Sequence, residues 1–388
     1  MIPKNLDDIT REDIQLLIEN KVQESRFIEY KRDFDISQGD KKKEFLADVS
    51  AFANASGGDL IFGISEDKET GLPLETLGVS IENPDEDLRR IENLIRDGIS
   101  PRLPSVNIRT IEVDNSKSVI VIRIKKSWLS PHRVIYGGHD KFYSRNSKEK
   151  YPLDVSELRT AFYTSETVKD KIKRFIEERI SRINIGDTPI DLDKNPRVVL
   201  HLVPFISFDT SYSYNLSLLT NEAKKTSPIY CSGWNNKINF DGHLSYSVDN
   251  NGCSYTQFYK TGIIEAVNTF LLRPFDKKVI PSLAYERELI ISVKQYINYL
   301  KNINVDMPIA VFLSLINVKD YIMAVDTSRF FSFGTYPIDR DILITPEVII
   351  DDYNISAEKI LKPCFDSIWN ACGWERSMNY DKDGDWNV

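Results

Sequence analysis

Cysteine and histidine are scarce in this 388-residue chain, which contains four of each. The cysteines are widely spaced and form no C-x-x-C pair: Cys231, Cys253, Cys364 and Cys372. We therefore expect neither a disulfide framework nor a structural zinc site, and a reducing compartment suits the chain best. Runs of about 18 apolar residues are also missing, as is the apolar segment of a secretory signal at the start. These absences predict a cytoplasmic protein without a membrane partner.

Several enzyme classes lose support because their motifs are missing. The chain contains no G-x-x-x-x-G-K-[ST] phosphate loop, no G-x-S-x-G and no H-E-x-x-H. The 50 basic and 58 acidic residues give a net charge of −8, which excludes a globally basic nucleic-acid binder but not a locally basic surface. Apolar residues make up 41% of the chain, enough for a sizeable core. At roughly 150 residues per domain, the length predicts two to three domains.

Hydrophobic periodicity divides the chain into two folded parts. Helical and strand patterns alternate over residues 1–165, which predicts an α/β or α+β domain. An amphipathic helix at 167–183 and a polar, proline-containing stretch then form a predicted linker over residues 166–196. Residues 197–388 predict a second α+β domain with a β-meander and one long helix, about Tyr285 to Lys301. The role of this domain, as a sensor or in recruitment, is not disclosed by its sequence.

The sharpest group of polar residues lies in the first 70 positions. If residues 27–31 form a strand, Glu29 and Lys31 share one face of it. Metal-dependent nucleases use this combination, because a carboxylate holds Mg²⁺ or Mn²⁺ while an ammonium assists water or balances phosphate charge. Glu24 would need a turn near Ser25 to join them, and Asp67, or Glu66 in its place, would supply a third carboxylate. The alternative is a set of solvent-facing ion pairs.

A basic interval covers residues 100–150, where eleven Lys or Arg face four acids, a local net charge of +7. Aromatic residues are interleaved with the cations. Cations gather phosphates and aromatic rings stack unpaired bases, which predicts recognition of single strands or RNA loops. The alternative is a solvated basic sheet face, and Lys41–Lys43 would extend either surface. The candidate phosphate-binding residues are Arg123, Lys125, Lys126, Arg133, Lys141 and Arg145.

Three segments together resemble a known family, the Schlafen AlbA-type domain, over about residues 20–165. They are Glu24-x-x-x-x-Glu29-Tyr30-Lys31, the run Ala51-Phe52-Ala53-Asn54-Ala55-Ser56-Gly57-Gly58-Asp59-Leu60-Ile61-Phe62-Gly63-Ile64, and Pro131-His132 with Phe142-Tyr143-Ser144-Arg145-Asn146-Ser147. The resemblance implies a mixed sheet with flanking helices, related to Alba nucleic-acid-binding proteins. In nuclease-active members, two glutamates and a downstream aspartate form a metal-dependent endoribonuclease site for structured RNA such as tRNA. Glu24 and Glu29 match the glutamate pair, Lys31 the accompanying lysine, and Asp67 (Glu66 as substitute) the third acid.

The chain departs from the animal members of that family in one respect. Their nuclease cores carry two related lobes, whereas the E-x-x-x-x-E-x-K pattern occurs once here. Either a homodimer supplies a second copy, or residues 197–375 supply the other wall, or the domain only binds nucleic acid. The protein partners that we expect are a second copy of the chain or a member of a defence complex. The leading hypothesis is therefore a bacterial Schlafen-type endoribonuclease using Mg²⁺ or Mn²⁺, with anti-phage defence implied by the family setting alone. The alternative is a non-catalytic nucleic-acid-binding regulator or assembly module, and a weaker third is a nucleotide-dependent protein.

Overall fold

Two compact units, Met1–Thr167 and Val168–Val388, make up the protein in a computed structural model. The structure describes residues 1–81, 83–103, 106–114, 117–147, 149–209, 213–249, 252–274, 277–325 and 336–386. Its helices and strands confirm the α+β fold class. None of the helices within these ranges is long and apolar enough to cross a membrane.

Unit 1 combines helices with short strands. Its helices are α1 (Arg11–Glu19), α2 (Gly39–Asn54), α3 (Pro84–Gly98) and α4 (Val155–Ile185), which continues into unit 2. Its strands are β1 (Ile28–Lys31), β2 (Gly58–Phe62), β3 (Ile64–Glu66), β4 (Pro73–Thr76), β5 (Val79–Ser80), β6 (Ile99–Ser100), β7 (Val106–Asp114), β8 (Lys117–Ile124), β9 (Arg133–Val134), β10 (Lys141–Arg145) and β11 (Lys150–Pro152). The helix predicted at 167–183 is thus the second half of a longer one.

The main sheet of unit 1 is mixed, as the resemblance implied. Its strands run in the order β1-β2-β8-β5, with β7 also paired to β8, and only the β1–β2 pairing among these is parallel. Side chains alternate between its faces. Tyr30 and Ile61 pack with α1 on one face, while Leu60 and Phe62 pack with α2 on the other. A smaller sheet, β11-β10-β9-β6, lies against α2.

Gly63 interrupts the apolar run at 60–64, which has the length and composition of a single strand. Strand β2 ends at Phe62 and β3 begins at Ile64, and Gly63 between them has a φ of 96°. That left-handed region is open to glycine at little cost. The chain therefore turns before Glu66, which lies in the β3–β4 hairpin and not on a continuation of β2.

The turn between α2 and β2 explains the small residues of the A-F-A-N-x-x-G-G run. Gly57 has a φ of 69°, and a Cβ there would lie 2.6 Å from the backbone nitrogen of Lys126. A Cβ on Gly58 would lie 2.3 Å from the ring of Phe52. Neither position has room for a side chain, so this part of the motif is required by packing.

Unit 2 is built on one large sheet. Its strands are β12 (Arg197–Pro204), β13 (Asn235–Ile238), β14 (Gly242–Asp249), β15 (Gly252–Tyr259), β16 (Ile264–Asn268), β17 (Val279–Ile280), β18 (Ile309–Ile316), β19 (Ile322–Met323), β20 (Ile342–Ile344) and β21 (Val348–Ile350). Its further helices are α5 (Leu216–Ala223), α6 (Ser282–Asn302) and α7 (Ala357–Ala371). The sheet order is β13-β14-β15-β16-β12-β18-β20, with β21 also on β18, and β13 to β16 form the predicted meander.

The buried polar centre of unit 2 is an ion-pair network. Glu265 is fully buried and accepts two hydrogen bonds from Arg179, at 2.7 and 2.8 Å. His201 Nε2 lies 3.0 Å from the same carboxylate, and Tyr255 donates to it at 2.8 Å. Burial alone would raise the pKa of Glu265, but these hydrogen bonds and the Arg179 charge lower it to about 2. His201 is therefore a fully buried core residue that is paired through Nε2, while its buried Nδ1 has no hydrogen-bond partner among the described residues.

Candidate carboxylate site and cationic surface of unit 1

A tight turn brings Glu24 to the edge of β1. The backbone N–H of Ser25 donates to the carbonyl of Ile28 at 3.0 Å, and Ile28 N–H donates back to Ser25 at 3.2 Å. The chain doubles back, so that Glu24 Oε1 accepts a hydrogen bond from the backbone N–H of Tyr30 at 2.8 Å. The turn near Ser25 that the prediction required is present, and it brings the two glutamates of the motif to the same end of the sheet.

Glu29 is held between two cations. Its Oε1 lies 2.5 Å from Lys31 Nζ on the same strand face, and its Oε2 lies 2.6 Å from Nη1 of Arg145 on β10. Glu29 is only 9% exposed. Burial would raise the pKa of its carboxyl group, but the charges of Lys31 and Arg145 outweigh burial and lower it. Glu29 is therefore an ionised carboxylate with a cation at each oxygen.

Asp48 and Lys150 extend the group of Lys31, Glu29 and Arg145 into a row of alternating charges. Sequence reasoning missed both residues. Asp48 lies on the buried face of α2, 3% exposed, with its Oδ1 2.6 Å from Lys150 Nζ. Burial, reinforced by the nearby Glu29 charge, raises the pKa of Asp48 to about 6. Burial would lower the pKa of Lys31, but the charges of Asp48 and Glu29 raise it above its usual value. The signal in the sequence was an acid inside an otherwise apolar helix face.

Glu24 and Glu66 form a carboxyl pair beside that row. Burial, together with a hydrogen bond to Glu66, raises the pKa of Glu24 to about 8. Glu24 is consequently protonated and uncharged at neutral pH. Glu66 Oε2 is buried and lacks a hydrogen-bond partner within the described ranges. The nearby Glu66 charge adds to the effect of burial, because a second negative charge beside Glu24 disfavours its ionised form.

Asp67 does not join this group, which corrects the sequence-based choice of the third acid. Its Oδ1 accepts hydrogen bonds from the backbone N–H groups of Glu69 and Thr70, at 3.0 and 2.8 Å, and from the Thr70 hydroxyl at 2.8 Å. The Thr70 hydrogen bonds hold the pKa of Asp67 below its usual value. Asp67 fixes the β3–β4 loop, and its neighbour Glu66, the substitute in the prediction, is the residue that reaches Glu24.

The predicted three-carboxylate centre for Mg²⁺ or Mn²⁺ does not fit this arrangement. Hard cations take several free carboxylate oxygens. Both oxygens of Glu29 already contact cations, and Glu24 carries a proton at neutral pH. Across the described residues, no group of three or more His, Cys, Asp or Glu side chains is placed to hold a metal ion. The available pair, Glu24 and Glu66, supplies two carboxylates only.

Two of the six predicted phosphate-binding cations are buried, which corrects their assignment. Arg123 is 7% exposed, pairs with Asp59 at 2.7 Å and donates to the backbone carbonyls of Ile2 and Lys4. Arg145 is also 7% exposed and is occupied by Glu29. Both side chains are buried inside unit 1, so neither meets solvent phosphate in this conformation.

The other four cations are more accessible. Arg133 pairs with Asp140 at 3.0 Å, and Lys126 Nζ lies 4.9 Å from the Trp128 ring centroid. Lys141 is exposed at the start of β10, and Lys125 is half-buried. These positions are compatible with the predicted phosphate contacts, which stay a prediction.

A cationic patch forms where the start of α2 meets the turn before β10. We define it by Lys42, Tyr136, His139, Lys141 and Tyr143. Lys42 Nζ lies 5.8 Å from the Tyr136 ring centroid, and the His139 ring stacks parallel to Tyr143, with its Nε2 2.8 Å from the hydroxyl. Lys43, the next residue on α2, lies close to Gly137 in the same turn. The patch combines cations with aromatic rings, and it includes one of the lysines predicted to extend the basic surface.

Comparison with known proteins finds one family model that matches part of unit 1. Residues 24–154 match the family described as Schlafen, AlbA_2. A solved structure, the N-terminal domain of a RecG-related protein from Nitrosomonas europaea, is 20% identical and covers 31% of this chain and 74% of its own, with a TM-score of 0.24. No curated protein sequence matches the chain. The family match indicates a nucleic-acid-related function. Residues 24–154, about a third of the chain, are thus similar to the Schlafen AlbA-type domain.

Proposed function

We propose that unit 1 binds nucleic acid through its cationic patch, with lysines at phosphates and aromatic rings at unpaired bases. The observation that carries this proposal is the placement of Lys42 over Tyr136 beside the stacked His139–Tyr143 pair. Aromatic rings flanked by cations are how proteins hold single-stranded nucleic acid without sequence preference. The buried arginines are left out of this interface, because they are already paired inside the domain.

Salt-dependent binding tests this proposal. Single-stranded RNA and DNA should bind with an affinity that falls linearly with salt on a double-logarithmic plot. Replacing Lys42 and Lys141 together by alanine should reduce that slope by about 1.4, roughly 0.7 for each lysine that no longer neutralises a phosphate of a single strand. The matched control is Arg11→Ala, an exposed cation on α1, which covers the opposite face of the sheet. Equal reductions in both variants, or none in the double variant, would remove the patch from the interface.

A second candidate function is cleavage of structured RNA such as tRNA, and the Glu24–Glu66 pair favours it. A carboxyl with a pKa of about 8 keeps its proton at neutral pH and can give it to a leaving oxygen as a general acid. Lys31 lies beside Glu29, where it can balance phosphate charge. A homodimeric or defence-complex partner and an anti-phage role are proposals supported by the family resemblance alone.

Incubation of total tRNA with the protein, in Mn²⁺ or in EDTA, tests cleavage directly. Glu24→Gln and Glu66→Gln should each abolish cutting while leaving the gel shift of RNA unchanged, because neither residue is part of the cationic patch. Glu69→Gln, on the exposed loop of the same hairpin, is the matched control. RNA that stays intact but still shifts on the gel would leave binding as the function of unit 1.

A further inference from the structure

The two faces of the small sheet β11-β10-β9-β6 carry different side chains. Arg145 packs against a ring on α2, so the odd-numbered residues of β10 face that helix and the even-numbered residues face away from it. Phe142 therefore points to the outer face, and it lies directly opposite Arg133 of β9. Ser144 shares that face and lies directly opposite Tyr151 of β11. The outer face of the sheet thus carries two aromatic rings and a cation.

The start of α4 adds exposed side chains beside this face. Phe162 contacts Phe142, with the ring centroids 6.1 Å apart and the ring planes at 76°. Phe162 is nevertheless 52% exposed, and its neighbour Tyr163 is 74% exposed. Arg159 is also exposed and precedes Phe162 by three residues, which places the two on the same side of the helix. We call these residues the outer platform and define it by Arg133, Phe142, Tyr151, Arg159 and Phe162.

We propose that the outer platform is a second binding site for single-stranded nucleic acid, at which an unpaired base stacks on the ring of Phe162. A ring that is half exposed can accept any base in this way, because every base has an aromatic face. Aromatic side chains on the open face of a four-stranded sheet hold unpaired bases in a common class of RNA-binding domain. This inference rests on the proposed function of unit 1. The site differs from the cationic patch, whose Lys141 and Tyr143 lie on the face of β10 that packs against α2.

The charges of the outer platform favour a nucleic acid over a protein as its occupant. The Arg133 side chain is 41% exposed, and its partner Asp140 is 65% exposed at 3.0 Å. Ion pairs this exposed contribute little, so Arg133 can exchange the carboxylate for a phosphate at small cost. Arg159 supplies a second exposed cation beside Phe162. Two cations beside the rings suit the phosphates that flank a stacked base, whereas an apolar protein surface would bury both without a counter-charge.

Titration of the full chain with a single-stranded RNA tests the site, if the RNA carries a fluorescent adenine analogue that is quenched by stacking. Phe162→Leu keeps an apolar side chain but removes the ring, so the affinity should fall about five-fold or more and the quenching should diminish. The dependence of affinity on salt should not change, because a phenyl ring neutralises no phosphate. Phe162→Tyr should restore the wild-type affinity. The matched control is Phe240→Leu in unit 2, a ring that is 92% exposed and has Lys260 Nζ 5.7 Å from its centroid.

Arg159→Gln gives a second variant that keeps every ring. It should reduce the salt slope by about 0.7, the value expected for one phosphate contact to a single strand. A Phe162→Leu protein that is folded by circular dichroism and keeps the wild-type affinity and quenching would overturn the inference, as would an unchanged slope in Arg159→Gln.

The same titrations separate this inference from the proposed function. A weakened Phe162→Leu together with an unchanged salt slope in Lys42→Ala/Lys141→Ala would keep the outer platform and remove the cationic patch. The reverse pair of results would keep the patch and remove the platform. If Phe162→Leu leaves RNA binding intact but abolishes self-association in sedimentation velocity, the platform is a protein interface and the inference is wrong.

Discussion

The side-chain amide of Asn54 forms a closed pair of hydrogen bonds with the backbone of His132. Its Nδ2 donates to the carbonyl at 2.9 Å, and its Oδ1 accepts from the N–H at 2.7 Å. The same Nδ2 also donates to the carbonyl of Tyr143 at 2.8 Å. The end of α2 is thereby tied to the segment leading into β9 and to β10, which carries Arg145.

Asn54→Ala should destabilise unit 1 by about 2–4 kcal/mol, because three hydrogen bonds are removed and partly buried backbone groups stay unpaired. Urea unfolding, followed by tryptophan fluorescence, measures the change. The matched control is Asn107→Ala on the exposed side of β7, which should change stability by less than about 0.5 kcal/mol. Similar values for the two variants would contradict a structural role for the Asn54 pairs.

The raised pKa of Glu24, beside Glu66, predicts that stability falls as the pH rises towards and through 8. Burial and the hydrogen bond to Glu66 raise the pKa of Glu24 to about 8 from its ordinary 4.5, so the folded state holds a proton that the unfolded state has released. The stabilising contribution is complete below pH 4.5 and is lost as the pH rises towards and through 8. Glu24→Gln should remove this loss, which is on the order of 2 kcal/mol after allowance for solvent screening. Urea unfolding at intervals from pH 5 to 9 measures how the free energy of unfolding depends on pH in the wild type and in Glu24→Gln. The same pH dependence in both proteins would refute the expectation.

We expect His132 to make the free energy of unfolding fall in acid, the opposite direction to the effect of Glu24. Burial lowers its pKa to about 4 from an ordinary 6.5, so the ring is neutral in the folded protein. Nδ1–H donates to the carbonyl of Pro101 at 2.7 Å, and Nε2 accepts from the Ser127 hydroxyl at 2.6 Å. Its contribution to stability is complete above pH 6.5 and is lost as the pH falls from there to 4. Nitrogen-15 chemical shifts of the ring should report this single neutral tautomer at pH 6, and a charged ring there would contradict the prediction.

Removing one partner of the Asp48–Lys150 ion pair should strongly destabilise unit 1. Asp48→Ala leaves a partly buried ammonium and should cost about 3 kcal/mol, whereas Asp48→Ala/Lys150→Met should recover part of that loss. The exposed pair Lys43–Asp40, at 3.4 Å, is the control, and its double-mutant cycle should give less than about 1 kcal/mol. Equal coupling energies from the two cycles, measured by urea unfolding, would show that burial does not strengthen the inner pair.

Spacing along β1 was enough to predict the shared face of Glu29 and Lys31, and the need for a turn at Ser25 followed from the distance to Glu24. The third acid was missed because periodicity does not show where an apolar run is broken, and here Gly63 redirects the chain. Arg123 lies inside the apolar run Val119–Ile124. A single charged residue in such a run favours a buried ion pair over a contact with phosphate.

Helix α7 was not predicted, because a proline inside a helical pattern, here Pro363, usually indicates the end of a helix. The ion pairs of Asp48 and Arg145 also could not be predicted, because their partners are far away in the sequence. Local pattern therefore located the strands and the motif, while the pairing of distant charges required the folded chain.

The row of alternating charges has a practical consequence for dissecting this protein. Its members are contributed by β1, α2, β10 and β11, so the last of them arrives about 120 residues after the first. A fragment that ends before β10 would still contain every residue of the glutamate and glycine motifs. It would leave Glu29 and Asp48 without Arg145 and Lys150, two buried negative charges inside an incomplete core. The smallest piece worth expressing therefore extends through Pro152, where β11 ends.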